Sequence, residues 1–180
     1  MKGSVFTIFQ EMVEETFGFE CWESLLSQCD LPSGGIYTAA ATYADEEILA
    51  LVGALSEYSD VAVPDLVEAF GKYLFPRLAH TLPAKMMEYD GLWSFLEAVN
   101  SVIHVEVQKL HAGAFTPEVV VLDKTEDKLI LKYKSPRKLC FLALGLVHQA
   151  AEHFDSVVDI THELCMHDGS DHCRLLVTKH

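Results

Sequence analysis

Three groups of residues in this sequence have the types and spacing to do chemistry. The first is His104, in SVIHVEVQKL, flanked on its face by Ile103 and Val107. An imidazole turned towards an apolar interior is neutral. It either hydrogen-bonds to a backbone carbonyl or serves as an axial ligand to haem iron. The second is Tyr133-Lys134-Ser135-Pro136-Arg137, which ends a strand-like run. Alternation places Tyr133 and Ser135 on one face, with Arg137 just beyond the Pro136 bend. A phenol, a hydroxyl and a forked guanidinium suit a carboxylate, which Arg can bind through two parallel bonds. Without a ligand they are ordinary polar residues at the end of a solvated strand. The third is His162-x-x-Cys165-x7-Cys173, with Cys140 upstream. Structural zinc takes four Cys or His ligands in a tetrahedron, and a site filled by protein ligands is structural because catalytic zinc keeps a position open for water. His167 and His172 are rival ligands, and buried or redox-active thiols are the alternative to zinc.

The elements that must position these groups follow from periodicity. Val5, Phe6, Ile8, Phe9, Met12, Val13 and Phe17 recur at helical spacing, and Gly18 then stops the helix. A second stripe joins Trp22, Leu25, Leu26 and Cys29, before a loop over 30–40 marked by Pro32 and Gly34-Gly35. Helices are predicted from Ala44 or Asp45, over Asp60–His80, and over Gly91–Leu110, the longest, which carries His104. After Pro117 the pattern changes. EVVVLD and LILKYKS, joined by KTEDK, read as an antiparallel hairpin; 138–154 reads as a helix, and SVVDITHEL and RLLVTK as two more strands. Helices first and a β–β–α–β–β half second predict an α+β fold.

The 180 residues favour a single domain over 1–180. Half the residues are hydrophobic, enough for a sizeable core. The longest apolar run, Cys140–Val147, is far short of the ~20 residues that a membrane helix needs. The start of the chain lacks the apolar stretch of a secretory signal, so a cytoplasmic location is expected. A net charge of −14 repels phosphate backbones and anionic lipid, which argues against nucleic acid and membrane surfaces as partners. Five cysteines, an odd count, argue against a disulfide framework.

Taken together, the start MKG, Phe70-Gly71-x-x-Leu74-Phe75, His104, Pro117 and the Tyr133-x-Ser135-x-Arg137 motif resemble the H-NOX family, the haem–nitric oxide/oxygen binding domains related to the haem domain of soluble guanylate cyclase. The resemblance covers essentially the whole chain. It implies a haem b domain with His104 as the proximal iron ligand, Tyr133, Ser135 and Arg137 on the propionates, and Pro117 pressing on the porphyrin. In oxygen-binding members a tyrosine stands five residues after the motif arginine; here that residue is Leu142. With Val5 and Phe9 expected beside it, the distal side offers no hydrogen-bond donor, so the resemblance implies binding of NO and CO and rejection of O2. Some bacterial members are similar at Cys140, His162, Cys165 and Cys173 as well, which implies Zn2+ there.

The resulting expectation is a gas sensor and not an enzyme, in which NO breaks the bond between iron and His104. The signal passes to a separate partner, by resemblance a histidine kinase or a cyclic-di-GMP enzyme. Two other classes compete. A peroxidase-like haem enzyme needs a distal acid–base residue, which Val5, Phe9 and Leu142 do not provide. A zinc-stapled interaction domain without haem would be colourless.

Overall fold

The computed structural model describes residues 1–110 and 113–180, so His111 lies outside the described residues. Four helices come first: α1 (Gly3–Phe17), α2 (Phe19–Gln28), α3 (Asp45–Ser59) and α4 (Val63–Thr81). The apolar stripe of α1 buries Phe6, Phe9, Met12 and Val13 against Trp22 and Leu25 of α2, Leu51 and Leu55 of α3 and Phe70 of α4. Pro64 sits in the first turn of α4, where its missing N–H has no helical partner to lose. That helix starts at Val63, three residues later than the sequence suggests, because Asp60 takes a left-handed turn after α3.

A second core lies in the other half. There β1 (Glu118–Lys124), β2 (Lys128–Lys134), β3 (Val158–Leu164) and β4 (Cys173–Lys179) form one antiparallel sheet in the order β1-β2-β4-β3. On one face Leu129, Leu131 and Tyr133 of β2 stand opposite Val177, Leu175 and Cys173 of β4. All six are buried, and they pack with Leu92, Phe95 and Leu96 and with α7 (Cys140–His153). The architecture is α+β, as expected.

Two features of this scaffold set the position of the site. The first is the crossing of α4 and α7. A Cβ placed on Gly145 would lie 2.0 Å from the Glu68 carbonyl oxygen, and one on Gly71 would lie 2.4 Å from that of Leu142. The helices therefore touch backbone to backbone, and only glycine fits at either position. Leu146, one residue on, packs against both cores. The second feature corrects the reading of 91–110 as one regular helix. The segment divides into α5 (Leu92–Ala98), a π-helical stretch (Val99–Ile103) and α6 (His104–Leu110). The His104 N–H bonds to the Val99 carbonyl five residues back, which widens the turn that delivers the histidine. Trp93 Nε1 donates to the Glu126 carbonyl at 3.0 Å, and Lys124 pairs with Glu97 at 2.7 Å, so α5 is tied to the β1–β2 turn.

Candidate haem and metal sites

His104 opens α6, a helix that buries none of its own residues and leaves Val105 exposed. Its Nδ1 is nevertheless buried and has no hydrogen-bond partner. Burial lowers the imidazole pKa, and the backbone of Pro117, hydrogen-bonded to the ring, offsets this only in part. The result is a neutral imidazole with an unpaired buried nitrogen, on a helix with an uncovered apolar surface. Such a group fits a haem ligand better than it fits a satisfied core histidine.

The polar run lies at the end of β2. Tyr133 and Ser135 are 3% and 2% exposed. Burial pushes the Tyr133 phenol up to about 12, while Ser135 and the Leu139 backbone hydrogen-bond to it. The Arg137 backbone N–H donates to the Ser135 hydroxyl at 3.2 Å. The guanidinium runs the other way. Its Nε donates to Asp45 Oδ2, Nη1 reaches the Phe115 carbonyl at 3.5 Å, and the group lies 4.9 Å from the centre of the Phe115 ring. Asp45 also pairs with the Met1 amine at 2.7 Å. Burial pushes the Asp45 carboxyl up, but the hydrogen bonds and charges of Arg137 and the amine outweigh it and hold the carboxyl below its usual value.

Met1, Leu49, Phe115, Pro136, Arg137 and Leu139 help to line a cleft of about 360 Å³ beside this ion pair. His104 is not among its lining residues. The structure thus brings Tyr133 and Ser135 together and sends the arginine to the mouth of a cleft, where its further N–H donors suit an anionic group. Asp45 was legible in the sequence only as a helix start; nothing there marks its pairing with Arg137.

Val5, Phe9 and Leu142 all pack in the N-terminal core, which Leu142 reaches from α7. Phe9 is fully buried, edge-on to Phe70 and Trp22. None of the three carries a polar side-chain atom.

The C-terminal cluster is compact. One ligand atom from each of Cys140, His162, Cys165 and Cys173 lies within 4.8 Å of all the others. The Sγ atoms of Cys140 and Cys165 are 3.9 Å apart, close to the edge of ~3.8 Å that a ZnS4-type tetrahedron requires. The Met166 N–H donates to Cys173 Sγ at 3.3 Å, and His162 Nε2 is buried without a partner. Burial lowers the His162 pKa, which keeps the imidazole neutral as a metal needs. Burial also raises the Cys140 and Cys173 thiols; a bound cation reverses that by favouring thiolate. A bulge between His162 and Leu164 turns the strand at this point. Of the two rival histidines, His167 hydrogen-bonds to the Lys138 carbonyl and His172 to Asp171, so both point elsewhere. No helix of the described residues is long and apolar enough to cross a membrane.

Comparison with known proteins identifies the lineage of this arrangement. A family model described as Haem-NO-binding matches residues 2–162. The crystal structure of an H-NOX protein from S. oneidensis in the Fe(II)NO state superposes with a TM-score of 0.92 at 34% identity, covering 100% of this chain and 99% of that one. The unliganded Fe(II) H-NOX protein from K. algicida gives 0.93 at 34% identity, covering 100% and 97%. A soluble guanylate cyclase of Caenorhabditis elegans is 24% identical over 159 residues, or 84% of this chain, which spans only 22% of the cyclase. With a family match over nearly the whole length and a fold shared from end to end, the chain belongs to the haem-NO-binding (H-NOX) family of haem-based gas sensors.

Proposed function

We propose that residues 1–180 act as one sensing domain that binds NO and CO at ferrous haem b and excludes O2. In this reading His104 is the proximal ligand, and Tyr133, Ser135 and Arg137 hold the propionates. The observation that carries it is the neutral imidazole of His104, with a buried nitrogen that no protein group satisfies. Haem, when bound, would supply a ferrous iron that takes up a diatomic gas and is held by His104. The chain supplies the responsive support. His104 follows a π-helical stretch, while α5 upstream is tethered through Trp93 and Glu97, so a loosened histidine moves α6 more readily than α5. The apolar side chains of Val5, Phe9 and Leu142 favour NO and CO, which need no donor, over O2, which does. They also supply no acid–base group, which weighs against a peroxidase. In this reading a partner protein, a histidine kinase or a cyclic-di-GMP enzyme, reads the change.

Zn2+ at Cys140, His162, Cys165 and Cys173 is the second part of the reading, supported by the convergence of four ligand atoms.

Absorption spectra of the ferrous protein under nitrogen, air, CO and NO test the first part. The expected result is a Soret band that shifts with CO and NO and is unchanged by air. His104→Gly should lose the unliganded ferrous spectrum and regain it on addition of imidazole. A reversible oxy spectrum, or an unchanged Soret band in His104→Gly, would overturn it.

A further inference from the structure

Between Arg137 and Cys140 the chain makes a turn that local sequence does not favour. Lys138 has a φ of +50°, one of three non-glycine residues in the left-handed region among those described. Such a conformation persists where neighbouring groups hold it. Two nitrogen-donated hydrogen bonds do so, beside a longer contact from Cys140 Sγ to the Lys138 carbonyl at 3.8 Å. The Lys138 N–H donates to the Ser135 carbonyl at 3.1 Å, which closes the turn from within. The Lys138 carbonyl is 2.8 Å from His167 Nε2, twenty-nine residues away in sequence. A carbonyl only accepts, so the imidazole carries its proton on Nε2 and donates it. The His167 ring is also stacked on Phe141, with an interplanar angle of 28° and 5.8 Å between centres. The ring is anchored in turn by the 3-10 turn Met166–Asp168, in which the Asp168 N–H bonds to the Cys165 carbonyl at 3.1 Å.

These contacts give His167 a role distinct from metal ligation. It clamps the loop between β3 and β4 onto the peptide that immediately follows Arg137. We propose that His167 is a positioning residue for the haem-carboxylate grip: by holding the Lys138 turn it fixes where the Arg137 guanidinium starts from. The inference rests on the reading that Arg137 binds a haem carboxylate. Glutamine is the conservative replacement, because its side-chain amide can donate a proton from a similar place, whereas alanine removes the donor and the stacked ring.

The test is the rate at which ferric haem leaves the protein for an excess of apomyoglobin, measured on the wild type, His167→Ala and His167→Gln. Zinc content is determined on the same samples. His167→Ala should lose haem at least threefold faster with zinc content unchanged, the scale of one lost hydrogen bond. His167→Gln should fall within about twofold of the wild type. Wild-type rates in His167→Ala overturn the proposal, as does a glutamine variant no slower than alanine. Loss of zinc with an unaltered haem rate also overturns it, because the clamp would then serve the metal cluster. A wild type that takes up no haem would instead remove the reading beneath, and is distinguished by the missing Soret band.

Discussion

The candidate metal cluster and the proposed haem region sit on either side of the Arg137–Cys140 turn and are built in opposite ways. The cluster draws its four ligands from one half of the molecule: the start of α7, the end of β3, and the loop and first residue of β4. Three of the four are buried, and their donor atoms already converge. The proposed haem region draws on both halves. His104 comes from α6, Arg137 from beyond β2, its counter-ion Asp45 from α3, Val5 and Phe9 from α1, and Leu142 from α7, where it packs against the N-terminal core. Its imidazole has an unpaired nitrogen, and its arginine is held by a carboxylate beside an open cleft. A site meant to stay fixed can be made locally from a rigid hairpin. A site meant to report a ligand gains from spanning two bodies that can shift against each other.

Four changes test that contrast, from the largest expected effect to the smallest. Cys173→Ser should abolish zinc binding. Structural zinc is worth ~10–16 kcal/mol in small peptides, and losing even a third of that, ~4 kcal/mol, lowers the melting temperature by ~8–16 °C in a domain of this size. Metal analysis and thermal unfolding of reduced protein measure both. Gly145→Ala forces a methyl group against the Glu68 carbonyl and should cost ~3 kcal/mol as α4 and α7 separate. The contrast predicts faster haem loss with zinc retained, since none of the four cluster ligands comes from α4. Equal loss of both groups would mean that the two regions respond as one.

Arg137→Ala should speed haem release more than Tyr133→Phe or Ser135→Ala. Charged hydrogen bonds are worth ~1.5–3 kcal/mol against ~0.5–1.5 for neutral ones. Matching release rates for all three would contradict the assigned roles. The smallest effect concerns Asp45. Its depressed pKa means that the ion pair stabilises the fold above the unfolded value of ~3.9, and that this contribution is lost as the pH falls through the lower folded value. Asp45→Asn should cost ~1 kcal/mol at pH 7 in chemical unfolding, with the gap to wild type closing in acid.

Much of this was legible in residue types and spacing, and the gaps have physical causes. His104, the Tyr133–Arg137 run and the cysteine cluster stood out because their chemistry is rare at those spacings. The hairpin and α7 followed from an abrupt change of period after Pro117. The π-helical stretch did not, since Leu92, Phe95, Leu96, Val99, Ile103 and Val107 suit an ordinary helix and no proline or glycine interrupts them. His162 was the preferred ligand in the sequence, but His167 and His172 stayed rivals until strand geometry aimed all three. The bulge beside His162 and the turn that carries His167 decided which faces the thiols. Asp45 was missed because its partner lies 92 positions away, and no local pattern encodes a contact at that distance.

That separation also bears on how the chain acquires its structure. The entropy of closing a loop rises with its length, so contacts between neighbours in sequence form ahead of distant ones. The helices of the first half and the hairpins of the second can each assemble from near contacts. Arg137 finds Asp45 only once both bodies exist and have come together, which makes their pairing a late step. The cleft beside that pair therefore takes shape last, after the surfaces that border it.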